Sequence, residues 1–430
     1  MVILTLPTGP YIAGAGLAVA LTAFVAAYAP RLPPFRSRSL FVRARLLPAE
    51  LPSWIGAVLL FCLVATGFLG TRDPLANPLT LAFWTLLWVG LSLACLVFGD
   101  LFRPLNPWTG PVRLLRRLLW RTGGVGLSRL GAWPAVAGFL AFGWFEIVSL
   151  APADPAVLAR VILAYWLLVL ALATAEGEDW LRRGEAFTRY FATVGRIAPL
   201  WTVPEGARIR HLAGPPGAQI IAMPPLTPGG GAFIALILAT VSFDGLSETF
   251  RWMGLIGVNP LDFPGRSAVM LPNTLGLVAA WIATGGSILG AVWLGRRLAG
   301  RSGPFWEDAG PWLLCFVPIA AGYHAAHYLV ALLTDGQYLL AALNDPFDRG
   351  WSLLGLPNRW ASFGFLQDRS AVTLIWIAQV GLILGAHVLA VLLGFRLTPR
   401  DGAVAHAPVT VLMVGYTCFG LWLLAAATAG

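Results

Sequence analysis

Ten apolar stretches, each about 18 residues or longer, dominate this 430-residue sequence. They fall at roughly 11–29, 53–71, 79–100, 132–151, 155–174, 232–251, 269–293, 310–334, 371–396 and 408–428. Stretches of that length match the hydrocarbon thickness of a bilayer, where only a helix satisfies its own backbone. The fold class expected is therefore all-α: a polytopic helix bundle of about ten transmembrane helices, forming one transmembrane domain over residues 1–430. Composition agrees. Hydrophobic residues make up 58% of the chain and charged residues 11%, too few to cover a soluble surface. A soluble enzyme and a nucleic-acid-binding module are excluded, and the lipid bilayer is the first partner.

The 29 basic residues are all arginine, so lysine chemistry, including a Walker A lysine and a Schiff base, is excluded. Sorted by the loops between the ten stretches, 22 arginines fall on one side and 7 on the other. The arginine-rich side is expected to be cytoplasmic, with both termini outside and the protein in a bacterial inner membrane. Two loops are long. The inner one, 175–231, carries Trp180, Phe187, Phe191 and Ile197 at helical spacing among charges, which predicts an amphipathic helix on the membrane surface. The outer one, 335–370, is acidic and aromatic and is expected to cap what lies beneath it. Gly286 and Gly290 form a GxxxG pattern that suggests close helix packing. Asn106 and Trp108, in the sequence NPWTGP, are expected to be structural anchors.

Ionisable residues inside a span are costly, so each one is a candidate for function. Glu146, Asp244, Glu248, His324 and His327 all fall in the outer half when counted along their spans at about 1.5 Å per residue. Gln379 reaches the same half, and His387 lies nearer the inner side. His324 and His327 are three apart and Asp244 and Glu248 four apart, so each pair shares a helix face. Two imidazoles and several carboxylates suit Zn, Mn or Fe. His324, His327 and Asp244 are the expected metal ligands, with Glu248 and Glu146 as catalytic carboxylates and Tyr323 and Tyr328 as flanking donors. Two other readings stay open. The same groups form a proton or ion path in a transporter, or His324 or His327 pairs with His387 around a haem in a subunit of a larger membrane complex.

The segments FGDLFRPLNPW, EDWLRRGEAFTRYF, SFDGLSETFRW, YHAAHYL and NDPFDRGWSLLG resemble, in order, those of bacterial polytopic membrane proteins labelled fenitrothion hydrolase. The resemblance runs from about residue 75 to the C-terminus. It implies an inner-membrane hydrolase of a lipophilic organophosphate ester, working with a second membrane subunit or as a homo-oligomer. It assigns no residue a role.

Overall fold

The computed structural model describes residues 8–28, 35–259, 262, 265–356, 361–398 and 402–426. The principal helices are α1 (Thr8–Tyr28), α2 (Leu51–Leu69), α3 (Pro78–Phe98), α4 (Thr109–Leu118), α5 (Trp133–Ile147), α6 (Pro155–Glu176), α7 (Ala186–Val194), α8 (Pro228–Ser247), α9 (Arg266–Leu298), α10 (Phe305–His327), α11 (Leu329–Asn344), α12 (Arg369–Leu397) and α13 (Ala403–Ala425). Eight of them, α1, α2, α3, α6, α8, α9, α12 and α13, are long and apolar enough to cross a membrane. A ninth crossing results if α10 and α11, bent by 55° at their junction, count as one. The chain is a multi-pass helical membrane protein. The fourth expected span is only the 15-residue α5, about 22 Å long and short of the hydrocarbon core.

Local sequence sets where the spans begin. Asn77, Asp154 and Thr227 each stand before a proline at the first helical position. Their side chains accept from the free backbone N–H groups of Leu79, of Ala156 and Val157, and of Gly230 respectively. Helix α8 is the hub of the bundle, packed on α5, α9 and α10. Of its apolar window 83% is buried, against 22–39% for the other spans, which keep most of their surface for lipid. Helices α10 and α12 approach most closely at Gly322, where a Cβ would lie 2.4 Å from that of Ala386. Gly286 and Gly290, by contrast, are exposed and meet nothing within 4 Å, so the GxxxG pattern faces away from the bundle.

A three-stranded antiparallel sheet was not expected from the sequence. Strands β1 (Arg38–Ala44), β2 (Leu200–Glu205) and β3 (Arg208–Ala213) pair in the order β1-β3-β2, with Phe41 opposite His211 and stacked on it at 4.3 Å. It joins two arginine-rich loops that lie far apart in sequence.

The inner loop also departs from expectation. Trp180, Phe187, Phe191 and Ile197 are buried in the main protein core and not laid on a membrane surface. Glu185 anchors this segment. It caps α7 by accepting from Phe187 N and Thr188 N, and it also receives the hydroxyls of Thr188 and Tyr165. Asn106 Nδ2 donates to Thr188 Oγ1, so the NPWTGP turn is locked to the same point. Asn106 and Trp108 are the structural anchors that the sequence suggests. In the outer loop, α11 runs on to Asn344, whose side chain ties back to Leu354 N and Leu356 O.

Candidate functional site

The helix holding the two histidines stops at His327. Tyr328 leaves helical geometry, with φ −91° and ψ 6°, and α11 sets off at the 55° bend. No glycine or proline stands in YHAAHYLVAL, so the break has no local signature. It does coincide with side-chain anchors. Tyr328 donates its hydroxyl to Asp244 Oδ2 at 2.7 Å and faces Glu146 Oε1 at 3.0 Å. His327 Nε2 lies 2.9 Å from the same Asp244 oxygen. Glu146 on α5, Asp244 on α8 and His327 at the end of α10 are thereby joined through Tyr328 in one hydrogen-bonded chain.

Since Asp244 Oδ2 is an acceptor, His327 carries its proton on Nε2, and Nδ1 is left as the basic nitrogen. The imidazole lies against Gly245, where a Cβ would stand 3.6 Å from Nδ1 and 2.8 Å from the Tyr323 hydroxyl. Only glycine fits there. The side chains of His327 and Asp244 keep 16% and 15% of their surface, so the chain is shielded but not sealed.

His324 does not join this chain. Its Nε2 donates to the Trp88 carbonyl at 3.0 Å, and its ring packs edge-on to the Trp88 indole. Trp88 sits in a π-helical stretch of α3, Ala82–Leu91, and its carbonyl also accepts from Ser92 Oγ at 2.6 Å. Such wide turns often mark functional sites in membrane and soluble helices. Among the described residues no group of three or more His, Cys, Asp or Glu is arranged to hold a metal ion. Glu248 is exposed at the end of α8, one turn beyond Asp244. Gln379 donates to the Ala326 carbonyl beside the break. His387 bonds within its own helix to Ile383 O.

Two contributors were missed in the sequence. Arg266, at the start of α9, donates to the carbonyls of Glu146 and Ser149 and brings a positive charge to the carboxylates. A loop arginine near a predicted span end was its only signal. Trp88 is the other. Its indole N–H is turned towards the Glu146 carboxyl and the Tyr328 hydroxyl, and it is buried together with Glu146 Oε2 and the Tyr323 hydroxyl.

The fold and site thus define a multi-pass helical membrane protein with a polar chain between its central helices. Compared with protein-family models, curated proteins and solved structures, the sequence matches none.

Proposed function

We propose that this protein is a proton-handling component of a bacterial inner membrane, an ion-coupled transporter or subunit, that moves protons along Glu146, Tyr328 and Asp244, with His327 holding the Asp244 end of the chain. The observation that carries this reading is the Tyr328 hydroxyl, which faces two carboxyl oxygens at 2.7 and 3.0 Å but owns one proton. It donates to Asp244, so the bond to Glu146 is complete when Glu146 carries a proton and donates to the phenol oxygen. A concerted shift then passes a proton from Glu146 to Tyr328 while Tyr328 passes its own to Asp244. No charged tyrosine forms. His327 holds the Asp244 carboxylate before the shift, and Arg266 is anchored on the carbonyls of Glu146 and Ser149 nearby. The 22-to-7 arginine asymmetry supports placing the chain in the outer half, with the sheet and α4 on the cytoplasmic side.

Proteoliposomes under an imposed potential test the proposal through a lumenal pH dye, together with an infrared pH titration of the carboxyl stretch. Wild type conducts protons or shows a titrating carboxyl band that Glu146→Gln removes, and Asp244→Asn and Tyr328→Phe suppress both. Empty-vesicle leakage together with an infrared spectrum unchanged by Glu146→Gln overturns it.

One observation favours a second reading. An imidazole oriented by a carboxylate through Nε2–H, with Nδ1 free, is the general-base unit of many hydrolases. In that reading His327 takes a proton from water attacking a lipophilic phosphate ester, in line with the resemblance noted in the sequence. A metal-assisted version requires His324 to leave the Trp88 carbonyl. Turnover of a chromogenic lipophilic phosphotriester, lost in His327→Gln, supports this reading; sensitivity to chelators separates the two versions. Absence of turnover in wild type removes it.

A further inference from the structure

Helix α4 and the turn after it form a patch unlike the rest of the surface. Leu114 and Leu118 are one turn apart and exposed, followed by exposed Leu119 and by Trp120, of which 90% is exposed. Arg117, in the last turn of α4, and Arg121, just past the helix end, border the same recess. Their neighbours are engaged: Arg113 pairs with Glu178 and Glu50, and Arg116 donates to the carbonyls of Thr174 and Gly123. The guanidinium groups of Arg117 and Arg121 are exposed and make no side-chain hydrogen bond or ion pair among the described residues. The recess, of about 460 Å³, lies between Arg116, Arg117, Trp120, Arg121 and Thr122.

Trp120 adds an independent signal. Its φ of 52° puts a bulky aromatic residue in the left-handed region, which costs of the order of 1–2 kcal/mol. The turn closes around it, with Arg121 N donating to Arg116 O. A strained backbone that presents an indole outward is hard to account for in water. It is well suited to a headgroup layer, where tryptophan rings settle and leucines reach the acyl chains. A guanidinium group beside such a ring can pair with a lipid phosphate while its apolar stem stays among the acyl chains.

We infer that the α4 tip is a binding site for the phosphate headgroup of an anionic phospholipid in the leaflet at the arginine-rich end. The lipid source is favoured over a soluble phosphate because the two arginines are continuous with exposed leucines and tryptophan.

The full chain, reconstituted in nanodiscs with equal phosphatidylglycerol and phosphatidylcholine, is released into native mass spectrometry and its retained lipids counted. Phosphatidylglycerol is expected to be retained over phosphatidylcholine. R117Q/R121Q is expected to weaken that retention by about fivefold per arginine, ~30-fold for both. R160Q/R369Q, at exposed arginines on other helices, is the control and keeps it. Equal retention of the two lipids by wild type, or unchanged retention in R117Q/R121Q, overturns the inference. In a second arm inorganic phosphate is added to the detergent-solubilised protein. Thermal stabilisation that disappears in R117Q/R121Q overturns it in favour of a soluble phosphate ligand; no stabilisation supports the lipid.

Discussion

Removing one oxygen atom, in Tyr328→Phe, tests the candidate site most directly. The phenyl ring keeps its packing against the rings of Trp88, His324 and His327. Asp244 loses one donor and keeps His327. Glu146 loses more: Oε1 gives up its hydrogen bond to the phenol, and the buried carboxyl group keeps only the neighbouring Trp88 indole N–H as a donor. A buried polar group stripped of its partner costs about 1–3 kcal/mol, so about 2 kcal/mol is expected here. For a chain of this size that lowers an apparent unfolding midpoint in detergent by about 2 °C. Glu146→Leu and the double variant complete a cycle. If the cost lies in the stranded carboxyl, Tyr328→Phe is nearly neutral once Glu146 is gone, and the coupling reaches about 1–2 kcal/mol. Two effects that add to within about 0.5 kcal/mol refute the reasoning, because the hydroxyl and the carboxyl then do not depend on each other.

Gly245→Ala places a methyl carbon 2.8 Å from the Tyr323 hydroxyl and 3.5 Å from the His327 ring, and should lower activity more than stability, read by flux or turnover against the unfolding midpoint. Glu185→Ala strands two backbone N–H groups and two hydroxyls in the core, and is expected to cost about 3 kcal/mol or to abolish expression of folded protein, followed by detergent chromatography. Asp154 is held below the usual carboxylate range, first by the backbone N–H of Val157 and then by Arg72. A group with a depressed folded value stabilises above its unfolded pKa of about 3.9 and loses that contribution as pH falls through the folded value. Asp154→Asn should therefore flatten the acid limb of the stability profile below about pH 4 while leaving neutral stability within about 1 kcal/mol.

How much was legible depended on whether a feature is periodic or tertiary. The spans are written as long apolar runs with polar-proline starts such as Asn77-Pro78 and Asp154-Pro155, and eight of the ten expected runs appear as single helices long enough to cross, the fourth being too short and the eighth bent. The convergence of Glu146, Asp244 and His327 was legible because depth along a helix is counted in residues, and Tyr328 could be named as a neighbouring donor for the same reason. Counting gives depth but not azimuth, and His324 shows what that omits. Three residues from His327, on nominally the same face, it turns about 60° further round the helix and finds the Trp88 carbonyl, which a π-helical stretch presents beside Ser92. Nothing in AFWTLLWVGL announces that stretch, which contains no glycine or proline break before Gly90. The loop 175–231 failed in the opposite sense. Trp180, Phe187 and Phe191 are spaced as on an amphipathic helix, and amphipathicity says that one face is buried without saying in what. Here the apolar face meets protein because Glu185 and Asn106 fasten the segment to the core. On α4 the polar ties, from Thr109 to Arg116, hold the start and one face of the helix, and Leu118 and Trp120 beyond them stay exposed. Placing an amphipathic helix in a membrane protein therefore turns on its buried polar residues, which decide whether the apolar face belongs to the core or to the lipid.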